Sequence, residues 1–217
     1  MYVSPQIVVG FHGCDRTVAD LVIQQNIHLS SSENKYDWLG HGIYFWEGSY
    51  ERAYLWATNS SKVSNPVVIG AFIRLGNCLD LLDTAKIEYL KLGYEILEQE
   101  ANKLQVALPQ NKSFRNGISF NRELDCEVIQ RIHQFNNELI ANRLDLPNME
   151  GGNRVKIQCH PDFIDSVRGM FPEGDEVYPG AGFLSQNHIQ LCIVNPNCIV
   201  GYFNPIDRND DYKKFSS

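Results

Sequence analysis

The chain has 217 residues, a formal net charge of −7, 43 % hydrophobic and 21 % charged residues, the balance of a globular protein long enough to bury a core without covalent staples. The acidic balance argues against a general nucleic-acid or membrane-surface binder, which needs a basic face to neutralise phosphates; a local basic patch stays open. Six cysteines, Cys14, Cys78, Cys126, Cys159, Cys192 and Cys198, form no CxxC pair and no zinc-like spacing. They read as small buried residues of a reducing compartment, with no metal site. No apolar run nears the roughly 20 residues of a membrane span, and MYVSPQIVVGFHG has neither the basic start nor the apolar length of a signal peptide. The expectation is a soluble, cytoplasmic protein with no membrane partner.

In chain order, Ile7 to Phe11 is a short apolar run that stops at Gly10-Phe11-His12-Gly13, which predicts a buried strand. Asp15 or Thr17 can cap a helix to about Gln25, with Val18, Leu21 and Val22 on one face. Ser30 to Lys35 is a polar loop. Ile43-Tyr44-Phe45-Trp46 reads as a short aromatic strand, and Ser49 can cap a following helix whose Tyr50, Ala53, Tyr54 and Ala57 form one stripe. Val67 to Ile73 after Pro66 is a candidate central strand.

Thr84 opens a long amphipathic helix with Ile87, Leu90, Tyr94, Leu97, Ala101, Leu104 and Leu108 at spacings of three and four. A second helix spans about Arg122 to Asn142, with Leu124, Val128, Ile132, Phe135 and Leu139 inside. Val155 to Cys159 reads as a strand, and 173–182 as an irregular loop. Ile189 to Val194 and Ile199 to Phe203 are strands about the turn Asn195-Pro196-Asn197. The pattern is α+β in one domain, 1–217, with a helical insertion at about 84–145 and a polar tail after about 204.

Four stretches, in order, carry a resemblance. They are Phe11-His12-Gly13; Leu39-Gly40-His41-Gly42-Ile43-Tyr44-Phe45; Ile69-Gly70-Ala71-Phe72-Ile73-Arg74-Leu75-Gly76-Asn77; and Pro179-Gly180-Ala181-Gly182 followed by strands from His188 and Ile199. Together they resemble the catalytic domain of the poly(ADP-ribose) polymerases and their diphtheria-toxin-like relatives, in the ADP-ribosyltransferase superfamily. The central helices are not matched. The resemblance implies a split mixed β-sheet core with flanking helices, NAD as co-substrate, and cleavage of its nicotinamide–ribose bond through an oxocarbenium-like transition state.

By this resemblance His12 holds the adenosine ribose and the backbone of Gly13 holds the carboxamide, where the absence of a Cβ admits the ligand. Gly42 belongs to the same binding loop. Tyr44 stacks on nicotinamide, and Tyr54 lies in the neighbourhood of the second ring-sandwiching aromatic, although ungapped counting lands on Leu55. The third catalytic position, a glutamate in the family, falls on Gln190, with His188 two residues earlier on the same strand face. An alternative register puts His188 in the catalytic place.

Glutamine can hydrogen-bond a ribose hydroxyl but carries no charge and is no general base. Chain elongation is therefore not expected, while single transfer is. Glu47, Glu173, Asp175 and Glu176 are carboxylates that can assist. His12 also fits a structural histidine, Tyr44 a core aromatic, and Arg168 with Gly169 a loop anchor or an acceptor or phosphate contact.

The resemblance implies a mono-ADP-ribosyltransferase of the toxin or effector kind. Its partners are a macromolecular acceptor, protein or nucleic acid, and an antitoxin or regulatory protein. The alternatives on the same fold are a non-catalytic NAD or ADP-ribose binding module, which Gln190 motivates, an NAD glycohydrolase and an RNA 2′-phosphotransferase.

Overall fold

The computed structural model describes residues 5–25, 27–115 and 118–205, with backbone alone at 113–115 and 118–120. The expected polar tail falls almost wholly on residues outside these. Nine strands are described: β1 Ile7–Asp15, β2 Ile43–Glu47, β3 Pro66–Arg74, β4 Cys78–Asp80, β5 Asn111–Arg115, β6 Ile118–Arg122, β7 Ser166–Phe171, β8 His188–Ile193 and β9 Ile199–Phe203. Five helices accompany them: α1 Arg16–Gln25, α2 Tyr50–Asn59, α3 Thr84–Leu104, α4 Glu123–Arg143 and α5 Gly151–Gln158. The fold is α+β, as the sequence pattern implies.

Seven strands form one sheet in the order β4-β7-β8-β2-β1-β3-β9. Only β4 and β7 pair parallel and the other pairs are antiparallel, so the sheet is mixed. Period-2 alternation sends alternate side chains to opposite faces. On one face Ile43, Phe45, Ile69, Ala71, Ile73, Leu191 and Ile193 pack beneath Ala19 and Val22 of α1. On the other, Trp46 and Val68 pack against Ala53 of α2, and Leu79, Val167 and Cys192 against Leu97, Val128, Ile129 and Ile132 of α3 and α4. Each fully buried aliphatic side chain contributes about 1.5–3 kcal/mol. Among the described residues no helix is long and apolar enough to cross a membrane.

Several local expectations give way. Val155 to Cys159 is not a strand: residues 151–158 form α5, with Cys159 as its C-cap. The apolar pair Val155 and Ile157 is too short to fix a period, and only Ile157 is buried, against Ile140, Ala141 and Phe163. Arg168 and Gly169 lie not in a loop but in the middle of β7, which pairs with both β4 and β8. The helical block is interrupted by the β5–β6 hairpin, which joins α3 to α4. The helix from Thr84 stops at Leu104 because Gln105 turns left-handed at φ 55°, so Leu108 lies beyond it.

Asp15 rather than Thr17 caps α1: its Oδ1 accepts from the Thr17 backbone and hydroxyl, at 3.1 and 2.9 Å. Ser49 occupies the N-cap of α2 without a side-chain bond. In α1 the inward residues are Ala19 and Val22, while Val18 and Leu21 are exposed. In α4 Leu139 is exposed and Cys126, Ile129, His133 and Ile140 are buried in addition to Val128 and Ile132.

Candidate functional site

The residues of the first two motifs meet at a seam in the middle of the sheet. The ladder between β1 and β2 contains only Gly10↔Glu47 and Phe11↔Trp46, although β1 runs on to Asp15 in register with β3. Past Phe11 a side chain replaces the strand partner: His12 Nδ1 donates to the Tyr44 carbonyl oxygen at 2.8 Å. That bond fixes the neutral tautomer with its lone pair on Nε2. Burial lowers the His12 pKa, opposed by the bond to Tyr44.

Gly13 is buried and sits under α2: a Cβ there would lie 2.2 Å from the Ala53 carbonyl oxygen. The missing side chain thus lets a helix approach the strand, a packing reason independent of any ligand. Gly42 bridges to Ser32 through two backbone bonds of 2.8 and 3.1 Å, and a Cβ on it would meet Cys192 Sγ.

The Tyr44 hydroxyl donates to the Gly40 carbonyl at 2.8 Å and accepts from Leu39 N at 3.0 Å. Its ring packs against the cluster of Leu39, Val167 and Cys192, and burial holds its pKa well above 10. Tyr44 therefore clamps the loop that precedes its own strand. Tyr54 is 46 % exposed and stacks on Tyr50 with ring centroids 6.2 Å apart. At 100° per residue, Tyr50 and Tyr54 lie on one flank of α2 and Arg52 and Trp56 on the other. The latter flank, with Leu55, Glu173 and Gln186, lines a cavity of about 410 Å³.

On the β8 side, Trp46 pairs across from Gln190, and His188 projects to the same face. Gln190 is engaged: its Oε1 accepts from Trp38 Nε1 at 2.6 Å, and the Trp38 ring lies over Gly169, whose Cβ position is 2.7 Å from the indole edge. The Arg122 guanidinium lies 4.9 Å above Trp38 and 4.4 Å above Phe171. His188 is buried between rings, 5.6 Å from Phe171 and 6.3 Å from Trp46. Its Nδ1 is 2.7 Å from the Gln186 carbonyl oxygen, 3.4 Å from Arg52 Nε and 3.8 Å from Glu173 Oε2. Burial is the main cause of its lowered pKa. Arg52 and Glu173 form an ion pair of 2.6 Å.

No family model, no curated protein and no solved structure matches this chain. The site therefore rests on its own geometry.

The carboxylates sort by face. Glu173 stands beside His188. Glu47 is on the opposite face, held by Arg168 at 2.6 and 2.9 Å, and Arg168 also pairs with buried Asp80 at 3.1 Å. Arg168 is thus a buried ion-pair residue rather than a loop anchor or a phosphate contact. Glu176 accepts from Gly180 N within its own loop at 2.8 Å.

Sequence reasoning missed Trp38 and Arg52; the one available signal was an arginine on the inner flank of α2 beside the alanine stripe. A second cavity, of about 500 Å³, lies behind the Gly40–His41 turn and is lined by His41, Gln130, His133, Asn137 and Phe163. Gln130 holds both the backbone and the Nδ1 of His41, each at 3.0 Å.

Proposed function

We propose that this chain is an NAD-dependent mono-ADP-ribosyltransferase that breaks the nicotinamide–ribose bond and passes ADP-ribose to a macromolecular acceptor. The observation that carries this reading is the convergence of residues from both ends of the chain on three adjacent strands, β1, β2 and β8, around a seam where the β1–β2 ladder stops. The four-motif resemblance supports it. So does the polar character of the seam, where His12 carries a lone pair on Nε2 and β1 has no ladder partner on the β2 side at Gly13.

In this reading the Nε2 of His12 accepts from a ribose hydroxyl and the Gly13 backbone takes the carboxamide. Tyr44 shapes the loop rather than offering a free ring face. The bond from ribose C1′ to the ring nitrogen breaks with its electron pair, so nicotinamide leaves neutral while positive charge grows on the ribose.

A second reading, a non-catalytic NAD-binding module, is favoured by one observation: Gln190 is uncharged and its oxygen is already taken by Trp38. Incubation of the purified chain with NAD labelled in the adenylate, in a cell extract, separates the two. The expected result is nicotinamide release together with label on a protein or nucleic acid. Binding without release supports the module, and release without retained label supports a glycohydrolase. His12→Ala is expected to weaken NAD binding about tenfold, the loss of roughly one hydrogen bond. Unchanged affinity by calorimetry in the folded variant would remove His12 from the site.

A further inference from the structure

Three buried polar atoms on residues that line the cavity behind the Gly40–His41 turn have no hydrogen-bond partner among the described residues: Arg131 Nε, His133 Nε2 and Asn137 Oδ1. Native interiors rarely leave one such atom unpaired, so three around one cavity call for a cause. All three stand on α4. At about 100° per residue, Glu127, Arg131, His133 and Asn137 fall within one half of its surface, and His133 and Asn137, four apart, are direct neighbours. His133 is 8 % exposed. The Arg131 nitrogen can only donate and the Asn137 amide oxygen can only accept. The other guanidinium nitrogens of Arg131 are taken by Gln134 at 3.0 Å and Glu100 at 2.6 Å. His41 adds a donor: Gln130 Oε1 accepts from its backbone, so the Gln130 amide nitrogen donates to Nδ1 and the ring carries its hydrogen on Nε2.

The rim of the same cavity carries separated charges. Glu33, Glu127 and Arg154 are exposed, line it, and form no ion pair among the described residues. Both carboxylates lie at one end. Cys126 Sγ donates to the Asn34 carbonyl at 3.7 Å, which brings the loop of Glu33 to the first turn of α4, beside Glu127. Arg154 lies at the other end: Ile157, one turn further along α5, packs on Ile140 and Ala141 of α4. A simple anion would meet the two glutamates and a simple cation the arginine, so the cavity suits a ligand with one charge of each sign, held apart.

We infer that this cavity binds a short free peptide laid along α4, its ammonium end on Glu33 and Glu127 and its carboxylate end on Arg154. Each peptide unit carries one carbonyl and one N–H, which are the partners that Arg131 Nε and Asn137 Oδ1 lack. From Glu127 to Asn137 the helix rises about 15 Å, the reach of about four extended residues. The volume of about 500 Å³ is that of a small-molecule site, and Ile157, Phe163 and Val194 offer small side chains an apolar lining. His12, Gly13 and Tyr44 do not line this cavity. The site is therefore independent of the transferase reading, and its test needs no NAD.

The test is calorimetry of the full chain at neutral pH with tetraalanine, N-acetyl-tetraalanine, tetraalanine amide and free alanine. Tetraalanine is expected to bind with Kd below about 1 mM. Capping either end is expected to weaken it about fivefold, the upper range for an exposed ion pair. In Glu127→Gln the loss on acetylation is expected to shrink, and in Arg154→Gln the loss on amidation. Asn137→Leu is expected to weaken tetraalanine about tenfold, with a thermal melt like that of the wild type because the amide oxygen has no partner to lose.

The wild-type series decides the matter even if a variant does not fold. No heat with tetraalanine at about ten times that Kd would overturn the site. Equal affinity for the capped peptides would overturn the two-ended charge assignment, and alanine binding as tightly as tetraalanine would overturn the peptide class.

Discussion

Arg168→Met is expected to lower the stability of the domain by about 3–5 kcal/mol, the cost of stripping one partner from a buried ion pair. The guanidinium grips Glu47 with two bonds of 2.6 and 2.9 Å and reaches Asp80 at 3.1 Å. Asp80 is 1 % exposed. A methionine fills much of the arginine volume and none of its charge, so the buried Asp80 carboxylate keeps the Leu82 backbone N–H at 3.1 Å but loses its cation. The loss exceeds that from an exposed ion pair, which is worth about 0–1 kcal/mol.

The double variant Arg168→Met, Asp80→Leu removes both charges and is expected to recover a large part of the loss. Urea unfolding midpoints of the single and double variants measure it. A single-variant loss below about 1 kcal/mol would mean that the network is not buried in solution as it is here.

Acid is expected to destabilise the fold through its histidines. Burial lowers the pKa of His133 to about 4, with His41 adding to the shift. His12 and His188 are shifted in the same direction, chiefly by burial. A histidine whose folded pKa is depressed binds its proton more readily in the unfolded chain. Its contribution is therefore intact above about pH 6.5 and is lost as pH falls from there towards about 4. For His133 alone that amounts to a loss on the order of 3 kcal/mol. His133→Leu is expected to flatten the fall in stability over that window and to change little at pH 7, because the Nε2 of the buried ring has no hydrogen-bond partner among the described residues. Thermal melts at pH 7, 5.5 and 4 give both slopes, and parallel slopes would refute the assignment. Asp15 acts in a separate window: backbone bonds hold its pKa at about 2, so its support is present above the ordinary aspartate pKa and lost only as pH falls towards 2.

The sequence pattern revealed those elements whose character is local. β2 and β3 are continuous apolar runs, and the alanines of α2 repeat at helical spacing. β7 stayed hidden because Arg168 and Gly169 break its apolar run, and both are there for distant partners, the carboxylates of Glu47 and Asp80 and the ring of Trp38. β4, three residues long, is below the length at which a period is readable. In α5 the alternation of Val155 and Ile157 mimicked a strand.

At the site, the i, i+2 spacing of His188 and Gln190 put both on one face from sequence alone. Their partners were not readable, because the bond that occupies Gln190 comes from Trp38, 152 residues away, and Arg52 reaches His188 across 136. Tyr44 shows the same limit: its motif position suggests a ligand contact, but its hydroxyl is spent on Leu39 and Gly40.

The burial of the cysteines has a practical consequence. Cys14, Cys78, Cys126, Cys192 and Cys198 are buried and Cys159 is exposed. Burial pushes the thiols of Cys14 and Cys78 up to about 11, those of Cys126 and Cys198 up to about 12, and that of Cys192 higher still. Alkylating reagents consume the thiolate, so a maleimide at neutral pH meets one addressable position in the native fold. Cys159 follows Ile157 and Gln158, which line the cavity behind the Gly40–His41 turn. A dye attached there, with no engineered background, would report on that cavity and on the packing of α5 against α4 in real time.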